Sequence, residues 1–271
     1  MTSQIERVVV RLDATSDNWT SIDTAVRLAA QTKAPLHGVF VEDQELLHLA
    51  NLPFAKQVTV GAGAEPLTHD SIELQLRAQA ERAHRDLIAA ATRHQVKFSF
   101  EITRGAAGIA SSSERELVVT GGWTRAVSGR FRIERRWSAV EIIAGPVLLA
   151  HTSWTAPGSV VALLGDRGVT AARLLEAAAQ IAAAKGCVLH VICPVAVASG
   201  DGFDSWIAER AASHRVKVHI EVSPAGPSAL RQRLGELDCR LLALDPGLLE
   251  RYGESLRQLV QRISCDILIV P

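Results

Sequence analysis

The stretch that decides the fold is His94-Gln-Val-Lys-Phe-Ser-Phe-Glu101, because it returns 120 residues later as His214-Arg-Val-Lys-Val-His-Ile-Glu221. At the same offset, Pro146-Val-Leu-Leu-Ala150 corresponds to Asp266-Ile-Leu-Ile-Val270. Each match is short, but matches that keep their order along a chain indicate an internal duplication. The sequence therefore predicts two copies of one domain.

The two copies have different lengths. Residues 34–40 correspond to residues 187–193 at an offset of 153, which exceeds the other offset by 33 residues. We therefore expect a first domain at 1–152 that contains an insert at about 42–70, and a shorter second domain at 157–271. The total of 271 residues is enough for two ordinary domains.

The insert and the linker each allow a specific expectation. Within the insert, Glu45–Ala50 predicts one or two helical turns, and Val60–Pro66 predicts a mobile loop because of its glycines. The insert is either a lid or partner-binding element, or a flap packed on the parent sheet. The linker at 151–158 is short, so we expect a fixed interface between the domains with Trp154 wedged into it.

Both copies predict the same alternation of strands and helices. We expect strands at 8–13, 36–41, 97–102, 116–120, 146–150, 160–164, 188–192, 217–222, 240–244 and 267–270. We expect a first helix that begins after residues 16–18 and ends at Thr32. Further helices are expected at 71–94, 106–113, 137–144, 169–186, 203–214, 226–236 and 252–263. Continuous apolar strands between helices indicate a parallel sheet covered on both faces. The fold class is α/β, with two doubly wound five-stranded parallel-sheet domains in tandem.

Composition and charge exclude several classes of protein. Lys and Arg total 29, as do Asp and Glu, so binding to nucleic acid or an anionic membrane through bulk charge is not expected. We expect a cytoplasmic protein, because no signal peptide or membrane-spanning run is visible. The cysteines show no metal-binding or C-x-x-C spacing and are expected to be reduced core thiols; they are Cys187, Cys193, Cys239 and Cys265.

Candidate ligand residues follow the predicted strands. In doubly wound sheets, ligands bind beyond the carboxyl ends of the strands, where the strand order reverses. A carboxylate after the first strand can bind a ribose or a base, and glycines after the fourth strand let backbone amides approach a phosphate. In the first copy these candidates are Asp13, Ala14, Thr15, Val41, Gly121 and Gly122.

Taken together, these strand ends resemble the universal stress protein (UspA-like) family. The shared features are a first strand ending in Asp, a second ending near Val-Glu-Asp, a Val-Val-x-Gly strand end and a Pro-Val-Leu-Leu last strand. The resemblance covers nearly the whole chain as a tandem pair and implies a fold of the HUP (adenine nucleotide alpha hydrolase-like) type. ATP-binding members of the family carry a Gly-x-x-Gly motif that is followed, after nine residues, by Gly-Ser or Gly-Thr. The glycines and the hydroxyl group of this motif hold the phosphates.

Both copies depart from that glycine pattern. In the first copy, the second glycine falls on Thr124 or Arg125, and the late Gly-Ser falls among 134–136. In the second copy the loop is shortened, Glu254 replaces the hydroxyl residue, and Gly165 or Leu164 stands where the first copy has Asp13. The sequence therefore predicts degenerate nucleotide-binding motifs, more so in the second copy.

A dense group of arginines follows the fourth strand of the first copy. Arginine side chains suit phosphate or carboxylate, so this loop could rebuild an anion or nucleotide site with side-chain charge. The alternative is a solvated basic loop that pairs with acidic surface elsewhere. The residues proposed for the site are Arg125, Gly129, Arg130, Arg135 and Arg136, and Arg132 lies among them.

Two functional hypotheses follow. The first is a non-enzymatic tandem module in stress response or regulation that acts through an unidentified protein partner. The second is an adenine-nucleotide (ATP or AMP) binding protein that uses the first domain only, with slow ATP hydrolysis left open. No catalytic residue and no metal site is assigned, and His37 and His190 are expected to be structural. The resemblance implies that the two halves pair as the family's dimers do, with the last strands Val147–Ala150 and Ile267–Val270 near a shared axis; a further homodimer is left open.

Overall fold

The computed structural model describes most of both sequence copies. The described residues are 5–14, 18–42, 48, 56–59, 63–66, 68–104, 113–121, 145–193, 195–199, 201–222, 227–245, 247–248, 255–256, 258–259 and 263–270. The helices predicted at 106–113 and 137–144 fall almost wholly outside these residues. Of the helical turns predicted at Glu45–Ala50, only His48 is described, and it is helical.

The structure describes twelve strands, ten of which form one continuous sheet. The strands are β1 (Arg7–Asp13), β2 (Leu36–Glu42), β3 (Lys56–Thr59), β4 (Gly63–Pro66), β5 (Phe98–Arg104), β6 (Glu116–Gly121), β7 (Val147–Ala150), β8 (Ser159–Leu163), β9 (Leu189–Cys193), β10 (Val218–Val222), β11 (Cys239–Leu244) and β12 (Asp266–Ile269). The order across the sheet is β10-β9-β8-β11-β12-β7-β6-β1-β2-β5. Strands β3 and β4 form a separate antiparallel pair.

Six helices complete the architecture of the described residues. They are α1 (Trp19–Thr32), α2 (His69–Arg93), α3 (Val169–Lys185), α4 (Val195–Ala198), α5 (Phe203–Ala212) and α6 (Pro227–Glu236). The long helix α2 begins with a capping box, in which the Thr68 and Ser71 side chains accept each other's backbone N–H. Helix α3 is followed by Gly186, whose φ of 65° lies in the left-handed region. Glycine adopts this conformation without the steric strain that a side chain would cause.

The sheet consists of two halves with the same strand order. In the first half (β1 to β7, without the β3–β4 pair) and the second half (β8 to β12), the strands lie in the order 3-2-1-4-5 and all pairs are parallel. The halves meet where β7 pairs antiparallel with β12, with Leu148 opposite Leu268. The prediction of two doubly wound five-stranded sheets in tandem is confirmed.

Apolar side chains pack on both faces of the sheet. On the first face, buried residues such as Leu12 and Phe40 pack with helices α1, α2, α3 and α5. On the second face, Val39, Val161 and Leu242 belong to another buried cluster that includes Leu230 and Leu234 of α6. This two-sided burial explains why the strands have continuous apolar runs.

One prediction within the insert was wrong. Residues 63–66 form strand β4 and not a mobile loop, because they pair with β3 from Lys56↔Pro66 to Thr59↔Gly63. The β-branched residues Val58 and Thr59 favour extended backbone. Interpreting the glycines alone as a loop missed this antiparallel pair.

Candidate ligand site at the strand ends

The first half brings four of the candidate residues to one edge of the sheet. Asp13 is the last residue of β1 and lies opposite Val41 of β2, and Ala14 follows it. Gly121 is the last residue of β6, the neighbour of β1 on its other side. The strand order reverses between β1 and β6, so these residues flank the point where doubly wound sheets bind ligands. The other candidates lie outside the described residues; they are Thr15, Gly122, Arg125, Gly129, Arg130, Arg135 and Arg136.

Hydrogen bonds hold the backbone of Asp13 in place. The Asn18 Oδ1 accepts the Asp13 N–H at 3.2 Å, and the Asn18 Nδ2 donates to the Asp13 carbonyl oxygen at 2.9 Å. Asn18 precedes α1, but its side chain makes no capping bond to that helix. The Asn18 side chain therefore fixes the strand end and not the start of the helix.

Two further polar residues belong to this site and were missed by sequence reasoning. Arg11 lies opposite Thr120 in the register of β1 and β6. Strand side chains alternate between faces, so Arg11, Asp13 and Thr120 all lie on the second face. Arg11 and Thr120 are partly exposed within strands that are otherwise largely buried. A charged residue inside an apolar strand was the signal that could have identified Arg11.

The register identifies the equivalent positions in the second half. Val8 pairs with Leu117 in the first half, and Val160 pairs with Leu241 in the second. Counting along each strand from these pairs makes Gly165 the equivalent of Asp13, and Asp245 the equivalent of Gly121. The carboxylate and the glycine have therefore exchanged strands between the two halves.

The second-half position is filled by the chain itself. A Cβ atom added at Gly165 would lie 2.7 Å from the Cδ2 of Leu248, whose side chain is 2% exposed. Asp245 forms the turn that places Leu248, because its Oδ1 accepts the Gly247 N–H at 2.9 Å and its carbonyl accepts the Leu248 N–H at 3.0 Å. Leu163 and Leu244 replace Arg11 and Thr120. Leucine side chains therefore occupy this strand-end position, and the buried carboxylate of Asp245 lies beside it.

Other polar residues near the strand ends hold neighbouring segments together. The Arg104 Nε lies 2.7 Å from Glu42 Oε2, and its Nη2 lies 3.5 Å from Glu73 of α2. In the second half, the two Arg167 Nη atoms donate to the carbonyls of Asp201 and Val197 at 3.0 and 2.9 Å. These contacts link strand ends to helices and loops.

The matched histidines lie inside matched strands, as predicted. His37 Nε2 lies 3.3 Å from Glu101 Oε1, and its Nδ1 shares a 2.7 Å hydrogen bond with Ser99 Oγ. In the second half, His190 Nδ1 lies 3.2 Å from Glu221 Oε1. Hydrogen bonds from Arg233, and more weakly from His190, lower the pKa of Glu221. We interpret both groups as polar cross-strand contacts, since His219 occupies the position of Ser99 in the second half.

The solved structures that resemble this chain identify its fold. A universal stress protein from Archaeoglobus fulgidus DSM 4304 matches at a TM-score of 0.68 over 99% of this chain and 97% of that chain, with 14% identity. The chain has the universal-stress-protein fold. A putative universal stress protein from Pseudomonas aeruginosa UCBPP-PA14 matches at a TM-score of 0.61 over 99% of this chain and 94% of that one, with 15% identity.

Similarity beyond the universal-stress-protein fold is limited. A universal stress protein in complex with cAMP covers 42% of this chain and 98% of its own, with 22% identity and a TM-score of 0.35, which is too low to assign a ligand here. No family model and no curated protein matches the chain. The described residues contain no group of three or more His, Cys, Asp or Glu placed to hold a metal ion. Within the same residues, no helix has both the length and the hydropathy to cross a bilayer.

Proposed function

We propose that this protein is a non-enzymatic tandem module of the cytoplasm that acts in stress response or regulation through a protein partner. The observation that carries the proposal is Leu248, which fills the second-half position where a ligand would bind. The second half then serves as a rigid scaffold, joined to the first through the antiparallel pairing of β7 and β12. The resemblance to universal stress proteins supports the cellular role.

An activity assay tests the non-enzymatic part of the proposal. The purified chain is incubated with ATP and, separately, with a chromogenic ester, and product release is compared with a protein-free blank. We expect no rate above the blank. ATP turnover that is lost in Asp13→Asn, or ester turnover that is lost in Ser99→Ala, would overturn the proposal, because each variant removes a polar group at a described site.

A second candidate function is adenine-nucleotide binding by the first half alone. It is favoured by the polar second face at the first-half strand ends, where Arg11, Asp13 and Thr120 stand in place of the second half's Leu163, Gly165 and Leu244. A carboxylate accepts hydrogen bonds from ribose hydroxyls or a base amine, and arginine attracts phosphate. The arginine-rich segment at 125–136 would supply further positive charge.

Thermal-shift measurements with ATP, AMP, cyclic AMP and inorganic phosphate test this second function. Nucleotide binding predicts a rise in Tm that saturates with ligand concentration and is lost in Asp13→Asn. Phosphate binding by the arginine-rich segment at 125–136 predicts that Arg135→Ala and Arg136→Ala reduce the rise in Tm. The absence of a shift with any adenine nucleotide at millimolar concentration excludes the second function.

A further inference from the structure

Two cysteines of the second half are neighbours in space although 26 positions separate them in the sequence. Cys239 begins β11, and Cys265 directly precedes β12, the strand that pairs with β11. Both cysteines line the same open cavity. Both cysteines are free, Cys265 is buried and Cys239 is partly buried. The sequence did not suggest this pair, because the spacing matches no thiol motif.

A β-bulge brings the two thiols to the same face of the sheet. Strand β11 pairs with β8 through Cys239↔Ser159 and Leu241↔Val160, so Arg240 is an extra residue in β11. Regular alternation would put Cys239 on the first face with Leu241. The extra residue reverses the alternation, and Cys239 packs instead against the second-face cluster that contains Cys265.

We propose that Cys239 and Cys265 form a reversible disulfide when the protein meets a peroxide. One sulfur attacks the peroxide, the O–O bond breaks, and a sulfenic acid and water (or an alcohol) form. The second sulfur then attacks the sulfenic sulfur, an S–S bond forms, and a second water leaves. The two thiols lose two protons and two electrons in total, and the peroxide is reduced. A thiol such as dithiothreitol reverses the reaction by exchange.

An open cavity gives a small oxidant access to the pair. The cavity has a volume of about 190 Å³ and is lined by both cysteines together with Arg231, Asp238 and Ser264. Hydrogen peroxide is little larger than water, which takes up about 30 Å³ in the liquid, so the cavity admits it. Leu241 lies opposite Asp266 in the register of β11 and β12, so Cys239 lies diagonally across from Cys265. With strands about 4.8 Å apart and a rise of about 3.3 Å per residue, that diagonal is about 6 Å, within the range of Cα separations that a disulfide spans.

The environment of the pair makes its oxidation slow. The neighbouring Cys265 thiol and burial raise the pKa of Cys239, so little thiolate is present near neutral pH. The other two cysteines cannot pair with each other, because Cys187 and Cys193 flank the same strand at a separation of about 20 Å at 3.3 Å per residue. Burial raises the pKa of Cys193 to about 11. Cys187 and Cys193 therefore cannot compete with the Cys239–Cys265 pair by bonding to each other.

Treatment of the whole chain with hydrogen peroxide, followed by thiol titration in denaturant and peptide mapping, tests the proposal. We expect loss of two of the four thiols, loss of the mass of two hydrogen atoms, and one cross-linked peptide pair that joins Cys239 to Cys265. Dithiothreitol is expected to restore all four thiols. The mapping uses the unmodified chain, so the result does not depend on whether a variant folds.

Matched variants separate the pair from the other cysteines. In Cys239→Ala, we expect no intramolecular cross-link after treatment with peroxide. In Cys187→Ala, we expect the Cys239–Cys265 cross-link to form as it does in the unmodified chain. The proposal is overturned if the cross-link joins other cysteines, if it forms only between chains, or if peroxide leaves all four thiols intact under conditions that oxidise a control disulfide-forming peptide. Oxidation of Cys239 only to sulfinic or sulfonic acid would also overturn it.

Discussion

At the residue scale, the two halves differ most at the ends of their first and fourth strands. The sequence correctly predicted Asp13 and Gly121 at one strand-end edge, because strand ends follow from the apolar runs. It left open whether Gly165 or Leu164 replaces Asp13, and only the register of β8 against β9 and β11 decides for Gly165. The packing of Leu248 on Gly165 depends on a turn after β11, which no local pattern specifies.

Gly165→Ala tests whether the second-half position is filled. The added Cβ would lie 2.7 Å from Leu248, so we expect a loss of about 1–3 kcal/mol in the free energy of unfolding. Leu248→Ala in the same chain should recover part of that loss, which a double-mutant cycle in urea measures. Gly235→Ala in α6 is the control, since nothing lies within 4 Å of its Cβ and alanine favours helix. Strictly additive effects of the two substitutions would contradict the packing.

Asp266, the first residue of β12, forms hydrogen bonds to the linker between the two halves. Its Oδ1 accepts the N–H groups of His151 and Thr152 at 2.7 and 2.8 Å and the Thr152 hydroxyl at 3.1 Å, and its side chain is buried. Asp266→Ala leaves these donors without their acceptor, and we expect a loss of about 2–4 kcal/mol in the free energy of unfolding. Asp266→Asn keeps an acceptor oxygen and should cost less. Equal losses in the two variants would contradict this role.

Asp266 also predicts a pH dependence of stability. Burial raises the pKa of Asp266 above its ordinary value of 3.8. The folded state therefore holds this proton at pH values where the unfolded state has lost it, and stability falls as pH rises from 3.8 through the folded pKa. We expect the stability of the wild-type chain relative to Asp266→Asn to decline over that window in urea titrations. A relative stability that rises with pH would contradict the assignment.

At the element scale, strand and helix positions were predictable and their irregularities were not. All ten predicted strands are present. Continuous apolar runs identify the central strands, which are buried on both faces, and the repeated sequence identifies the exposed edge strands β5 and β10. The antiparallel pair of β3 and β4 was missed because the second half has no counterpart of this segment. The bulge at Arg240 was missed because the extra residue shows only in the pairing of β11 with β8. This bulge decides which face Cys239 occupies.

The contact between helix α3 and the linker gives a prediction at this scale. Lys185 at the end of α3 donates to the Trp154 carbonyl at 2.6 Å, and its Nζ lies 4.3 Å from the centroid of the Trp154 ring. Lys185→Ala should lower the free energy of unfolding by about 1–2 kcal/mol, since a cation–π contact and a charged hydrogen bond are lost. Lys33→Ala, at the exposed end of α1, is the control in thermal unfolding. A Tm equal to that of the control would contradict the contact.

At the scale of the whole molecule, the duplication in sequence appears as two halves of one sheet. The offsets predicted two copies, and the expected pairing of their last strands is confirmed by the contact of β7 with β12. Each half therefore covers the other's last strand, which would otherwise be an exposed apolar edge. The domain boundaries at 152 and 157 stay a prediction.

Separate expression of residues 1–152 tests this arrangement. The fragment exposes the β7 edge, with Val147 and Leu149 normally buried, so we expect it to dimerise or aggregate in light-scattering chromatography. Leu149→Lys in the fragment should shift it towards the monomer. A folded, monomeric fragment with no substitution would show that β7 does not need β12.

The central claim is that Leu248 fills the described strand-end position of the second half, so a nucleotide site at this position exists only in the first half. Isothermal titration of the whole chain with AMP and ATP, beside the matched variants Asp13→Asn and Asp245→Asn, tests it most directly. We predict at most one nucleotide per chain, with binding lost in Asp13→Asn and kept in Asp245→Asn. Two nucleotides per chain, or binding that Asp245→Asn abolishes and Asp13→Asn preserves, would contradict the account.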